Sequence, residues 1–139
     1  MKKIILLFAI ILFGVSASFA TEPPIVHVTW DISGCSCGSV FADYKVILNI
    51  YDNANSQYAV ENKIRYAGSG TASTMDIDVP EMLDYCKESY PNTPSFTVTV
   101  TVWGILVDDT ECCTGTRVES GNCHHFEADD VFPISVTME

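Results

Sequence analysis

The segment Glu111 to His125, ECCTGTRVESGNCHH, carries two adjacent cysteines, a third cysteine ten residues on, and two adjacent histidines. Thiolates and imidazoles together suit zinc or copper, whereas the same thiols, once oxidised, are the staples of an exported domain. Zinc sites draw their ligands from separated pairs such as Cys-x2-Cys and His-x3-His. Here Cys35 and Cys37 flank a single residue, Cys112 and Cys113 are neighbours, and Cys86 and Cys123 stand alone. Neighbouring side chains on one backbone rarely aim at one ion, so disulfides are the preferred reading and copper or zinc at Cys and His the lesser one.

A second set of chemistry-bearing residues is acidic. Asp108, Asp109 and Glu111 lead into the segment from Val107 to Val131, and Glu127, Asp129 and Asp130 lead out of it. If that segment is a loop, its two acidic flanks face each other across the neck, and the turn YDNANS adds Asp52, Asn53 and Asn55. Oxygen ligands converging in that way suit Ca2+, although DNANS lacks the glycine and the terminal glutamate of an EF-hand. The Ca2+ set would be Asp52, Asn53, Asp108, Asp109, Glu127, Asp129 and Asp130. For catalysis the sequence offers no nucleophile elbow, no HExxH and no phosphate-cradling glycine loop. A pair of rim carboxylates could serve glycoside hydrolysis, which keeps a small secreted hydrolase as a further alternative. His27 falls on a strand, with no nucleophile evident beside it.

The N-terminus indicates the compartment. Lys2 and Lys3 precede an apolar run from Ile4 to Val15, followed by SASFA, the pattern of a secretory signal peptide over residues 1–20, with cleavage after Ala20 and a second frame at Val15 and Ala17. The apolar run is too short to span a membrane, and no later stretch approaches the needed length. The ISGC box at Ile32 to Cys35 resembles a lipoprotein cleavage site, but Glu22, two prolines, Trp30 and Asp31 separate it from the apolar run. Residues 21–139 are then one secreted, periplasmic or cell-surface domain, with a leader of bacterial style. It carries five basic residues against eighteen acidic ones, a net charge of −13, which argues against nucleic acid or an anionic membrane as partner.

Period-two alternation then supplies the elements. Phe96, Val98, Val100 and Val102 point one way in SFTVTVTVW, while Thr97, Thr99, Thr101 and Trp103 point the other. Similar patterns run through Val26 to Ile32, Val46 to Ile50, Met75 to Val79 and Phe132 to Met138, with Pro133 indicating an edge strand and a weaker strand over Tyr58 to Tyr66. One short helix fits residues 80–90, from Pro80 at its first position to a stop at Pro91, with Leu83, Cys86 and Tyr90 on one face.

About seven short strands and one helix imply an all-β, antiparallel two-sheet sandwich. The order strand, short helix, long strand, long loop, final strand resembles the last three strands of an immunoglobulin-like or fibronectin-like domain. That resemblance implies a Greek-key topology and no functional residue. In such a layout the loop holding Cys35 and Cys37 would share an end with Cys86, giving a bond from Cys86 to Cys35 or Cys37 and another from Cys123 to Cys112 or Cys113. The functional expectation is a non-catalytic exported binding or structural module. It would meet a protein or carbohydrate ligand through the loop 107–131, where Thr114, Arg117, His124 and His125 would make contact.

Overall fold

The computed structural model describes residues 21–37, 40–88 and 94–139. The expected leader, Tyr90 and the helix stop at Pro91 lie outside the described residues. Among the described residues seven strands and one α-helix follow in the order β1 (Ile25–Asp31), β2 (Phe41–Asp52), β3 (Gln57–Tyr66), β4 (Thr74–Asp78), α1 (Glu81–Glu88), β5 (Ser95–Leu106), β6 (Glu111–Asn122) and β7 (Val131–Thr137). They form an all-β sandwich in which a three-stranded sheet, β4-β1-β7, faces a four-stranded sheet, β3-β2-β5-β6.

Alternation places the core where the sequence implies. Val26, Val28 and Trp30 of β1, Val46, Leu48 and Ile50 of β2, and Phe96, Val98, Val100 and Val102 of β5 turn inward and are buried. Each such side chain stabilises the fold by about 1.5–3 kcal/mol relative to its exposed state. Ile32 lies past the end of β1 and is 42% exposed, so the inward run stops at Trp30. In α1 the fully buried side chain is Met82, while Leu83 and Cys86 are half-buried. Lys63 of β3 ties this helix down, its Nζ donating to both carboxylate oxygens of Glu81 at 2.7 and 2.9 Å.

One expectation is corrected: the segment 107–131 is not one long loop, because its residues Glu111–Asn122 form the twelve-residue strand β6, paired with β5 along nearly its full length. On the side continuous with the buried face of β5 stand Cys113, Gly115 and Gly121, which are buried, and Arg117 and Glu119, which are exposed and half-buried. None of these is β-branched or aromatic, so the strand has no hydrophobic alternation to read. Glycine is demanded by close approach: a Cβ on Gly115 would stand 2.3 Å from the Thr137 carbonyl oxygen. There the two sheets meet backbone to backbone, with the Thr114 N–H donating to Glu139 O and the Glu139 N–H donating to Thr114 O (3.2 and 2.9 Å).

β7, which follows β6 in the chain, crosses to the three-stranded sheet. It pairs with β1 in parallel register, from Ile25 opposite Val131 to Asp31 opposite Thr137. Pro133 sits on that edge strand, as expected of a residue without an N–H to give.

Candidate functional site

The end of the sandwich where β1 finishes and β2 begins is called the upper end here, and the end holding α1 the lower. The six cysteines form three bonds: Cys35–Cys113 and Cys37–Cys112 at the upper end, and Cys86–Cys123 at the lower. Their Cα separations are 5.8, 6.1 and 5.6 Å, within the usual range. Both expected pairings are therefore overturned, and strand parity explains why. Three strands separate Cys37 from Cys86, which puts these two at opposite ends; four separate Cys37 from Cys112, which returns the chain to the same end. Cys123 then lies one whole strand away from Cys113. With every cysteine oxidised, no thiolate remains for copper or zinc.

The same geometry separates the expected Ca2+ ligands. Asp108 and Asp109 occupy the upper β5–β6 turn, whereas Asp52, Asn53, Glu127, Asp129 and Asp130 lie at the lower end, a strand length of roughly 40 Å away. Asp108 Oδ1 accepts from the Thr110 N–H and hydroxyl at 3.2 and 2.6 Å, and these bonds hold its carboxyl below the ordinary carboxylate value. Asp129 Oδ1 accepts from the Glu22 N–H (2.8 Å), and Asp130 Oδ2 from the Glu127 N–H (2.9 Å). Asn53 donates to Ser95 O at 3.0 Å. Among the described residues no group of three His, Cys, Asp or Glu side chains is placed to hold one ion.

Asp52 is the most constrained of this set. It is fully buried, and its Oδ1 accepts from the backbone N–H groups of Ala54 and Asn55, its Oδ2 from the Asn55 amide and the Tyr85 hydroxyl, at 2.7–3.2 Å. Burial pushes its pKa up, but the bonds from Tyr85, Asn55 and Ala54 outweigh burial and hold it below the ordinary value. The Tyr85 hydroxyl is raised in turn, by burial and by the Asp52 carboxylate. This carboxylate closes the β2–β3 turn onto α1 and has no open oxygen to offer an ion.

The residues expected to contact a partner also have internal roles. The Thr114 backbone belongs to the β6–Glu139 seam. Arg117 pairs with Glu119 (Nη2 to Oε1, 2.6 Å). His124 Nδ1 lies 3.0 Å from Glu127 Oε1. His125 Nδ1 accepts from the Asn122 N–H (3.1 Å), capping the 3-10 turn Cys123–His125.

Two arrangements escaped the sequence reading. On the outer face of the three-stranded sheet, His27 Nδ1 lies 2.5 Å from Asp76 Oδ1, and its Nε2 lies 3.4 Å from the Thr74 hydroxyl. The order acid, imidazole, hydroxyl is that of a nucleophilic triad. However, the last contact is long for an oxygen donor, and His27 and Asp76 are 38% and 60% exposed on an open sheet, where water competes for each group.

The other lies on the outer face of the four-stranded sheet. Cross-strand rows run Tyr66–Lys45–Trp103–Thr114, Ile64–Ile47–Thr101–Thr116 and Tyr58–Tyr51–Thr97–Ser120, with Asn49–Thr99–Val118 between the last two. The Tyr51 and Tyr58 rings meet edge to face at 5.0 Å. Together with Asn49, Thr97 and Thr99 they line a groove of about 320 Å³. The outward set Thr97 to Trp103 is visible in the sequence, but its tyrosine partners emerge only once the register of β2 and β3 is known. No protein-family model, curated protein or solved structure matches the chain.

Proposed function

We propose that the chain is a non-catalytic exported binding module whose recognition surface is the outer face of its four-stranded sheet. The observation that carries this reading is the composition of that face. Tyr58, Ile64, Tyr66 and Val118 are 43–60% exposed there, beside a ladder of threonines and Trp103. Aromatic rings that are apolar in body and polar at the tip are the residues that interfaces favour, and a rigid sheet holds them at little entropic cost on binding. The three disulfides fit an oxidising destination, and no described helix is long and apolar enough to cross a membrane.

The loop 107–131 gives way to the sheet, because its central residues Glu111–Asn122 are committed to β6. Arrays of extracellular proteins and glycans, probed with the native chain and two variants, test the assignment. Thr99→Arg should abolish capture of whatever ligand the native chain retains, while Val107→Asp, at the 81% exposed hairpin tip, should leave it intact. Loss with Val107→Asp and retention with Thr99→Arg would return recognition to the hairpin.

A further inference from the structure

We infer that the groove lined by Asn49, Tyr51, Tyr58, Thr97 and Thr99 is a subsite for an uncharged pyranose ring of a polysaccharide; this rests on the outer-face reading above. Charge restricts the class of ligand. Five basic and eighteen acidic residues crowd the exported chain, yet the groove lining contains no formal charge. An anionic ligand would meet no cation there, and a cationic one would find better purchase on the acids elsewhere.

Hydrogen-bonding capacity narrows the class further. The groove lies over β2, β3 and β5, where backbone groups are consumed by the sheet ladders, so a peptide cannot add itself as a strand on this face. Recognition must come from side chains alone. Asn49 Oδ1 already accepts the Asn62 N–H at 2.7 Å, which leaves the amide NH2 as a donor. The Thr97 hydroxyl donates to Asn53 Oδ1 at 3.1 Å, which leaves its oxygen as an acceptor. A donor and an acceptor flanking phenol rings match a sugar, whose hydroxyls both give and take bonds and whose ring carries an apolar C–H face. The half-exposed Tyr58 is the stacking platform, and Tyr51, braced against it edge to face, fixes its position. The groove is at the small end of ligand pockets, with room for a ring or two and open at the surface, as binding within a longer chain requires.

Affinity gel electrophoresis of the full exported chain tests this against soluble neutral polysaccharides (mixed-linkage β-glucan, xylan, galactomannan) and anionic ones (polygalacturonate, hyaluronan). At least one neutral polymer should retard the native protein and no anionic polymer should. Tyr58→Ala should weaken retardation at least tenfold, Thr97→Val severalfold, and Val107→Asp, at the exposed β5–β6 turn away from this face, little. Thermal melts on each variant establish that the fold is kept. Retardation by anionic polymers alone, or by none, overturns the sugar assignment. If an arrayed protein is then captured and lost with Thr99→Arg, the outer-face reading survives while the sugar class fails. If a neutral polymer binds and neither Tyr58→Ala nor Thr97→Val matters, the groove assignment fails.

Discussion

The two ends of the sandwich are closed by different chemistry. At the upper end, two parallel disulfides join the β1–β2 connection to the start of β6, linking positions 35 and 37 to 113 and 112. At the lower end a single disulfide, Cys86–Cys123, joins α1 to the turn before β7, and the remaining work falls to Asp52 with its four donors and to the Lys63–Glu81 pair. Covalent closure is independent of pH, whereas closure by a carboxylate is not. The upper end should therefore hold in acid while the lower end loosens.

The largest effect expected comes from removing both upper bonds. Chain-entropy arithmetic gives about 4.5 kcal/mol for the loop closed over a separation of 78 residues and about 2 kcal/mol or less for the small ring that the second bond adds, together a large part of the 5–15 kcal/mol that keeps a typical domain folded. Replacing Cys35, Cys37, Cys112 and Cys113 by Ala should lower the guanidinium midpoint by a corresponding amount. Replacing Cys86 and Cys123 should cost about 3.9 kcal/mol, because the separation there is 37 residues. A larger loss at the lower end would mean that α1 leans on its disulfide for folding as well as for entropy.

Asp52→Asn comes next. The amide preserves the shape but gives up charge-assisted bonds, and it presents an NH2 where donors already point, so about 2–3 kcal/mol should be lost at pH 7. Because the folded pKa lies below the unfolded one, the carboxylate stabilises the fold above pH about 4. That contribution drains away as the pH falls through the lowered folded value. Tyr85 has the opposite sign: its raised pKa keeps the proton on the folded chain, and stability falls as the pH rises past about 10. Chemical denaturation at pH 7 and pH 3 should show the native chain losing more stability than Asp52→Asn. What the variant still loses belongs in part to Glu81, which burial raises but Lys63 holds below its usual value. Equal losses in both proteins would show that Asp52 does not carry the acid sensitivity of the lower end.

These contrasts also mark what the sequence could and could not disclose. β1, β2, β4, β5 and β7 announce themselves because each has one face of β-branched or aromatic residues against a core. β6 does not, because its inward positions are set by a disulfide and by the approach of β7: Cys113 carries a bond, Gly115 yields to a backbone carbonyl, and Gly121 to Phe126 and Phe132. Missing that one strand misplaced Cys123, joined two acidic clusters that lie a strand length apart, and cast Arg117 as a contact residue. The disulfide partners of Cys35 and Cys37 were within reach, since counting strands places them with Cys112 and Cys113. The Tyr51–Tyr58 pair was not, because the pairing of β3 with β2 shifts register between Leu48 and Ile50 and again between Ile50 and Tyr51.

The smallest effect is the sharpest probe of the upper end. Once Cys35–Cys113 has closed the long loop, Cys37–Cys112 closes only a ring of a few residues, and the same arithmetic leaves it about 2 kcal/mol or less. By entropy alone either bond could go first with equal cost, yet the two are not equivalent, because Cys113 is fully buried whereas Cys112 is exposed. Breaking Cys35–Cys113 also removes a packed sulfur from the core beside Gly104, whereas breaking Cys37–Cys112 disturbs only the surface. Equilibrium unfolding of Cys35→Ala/Cys113→Ala and Cys37→Ala/Cys112→Ala should therefore rank the first as less stable by about 1 kcal/mol. Identical midpoints would mean that the buried sulfur contributes nothing beyond the bond. The reverse ranking would place the tighter constraint on the outer bridge, and with it the anchoring of the β1–β2 connection.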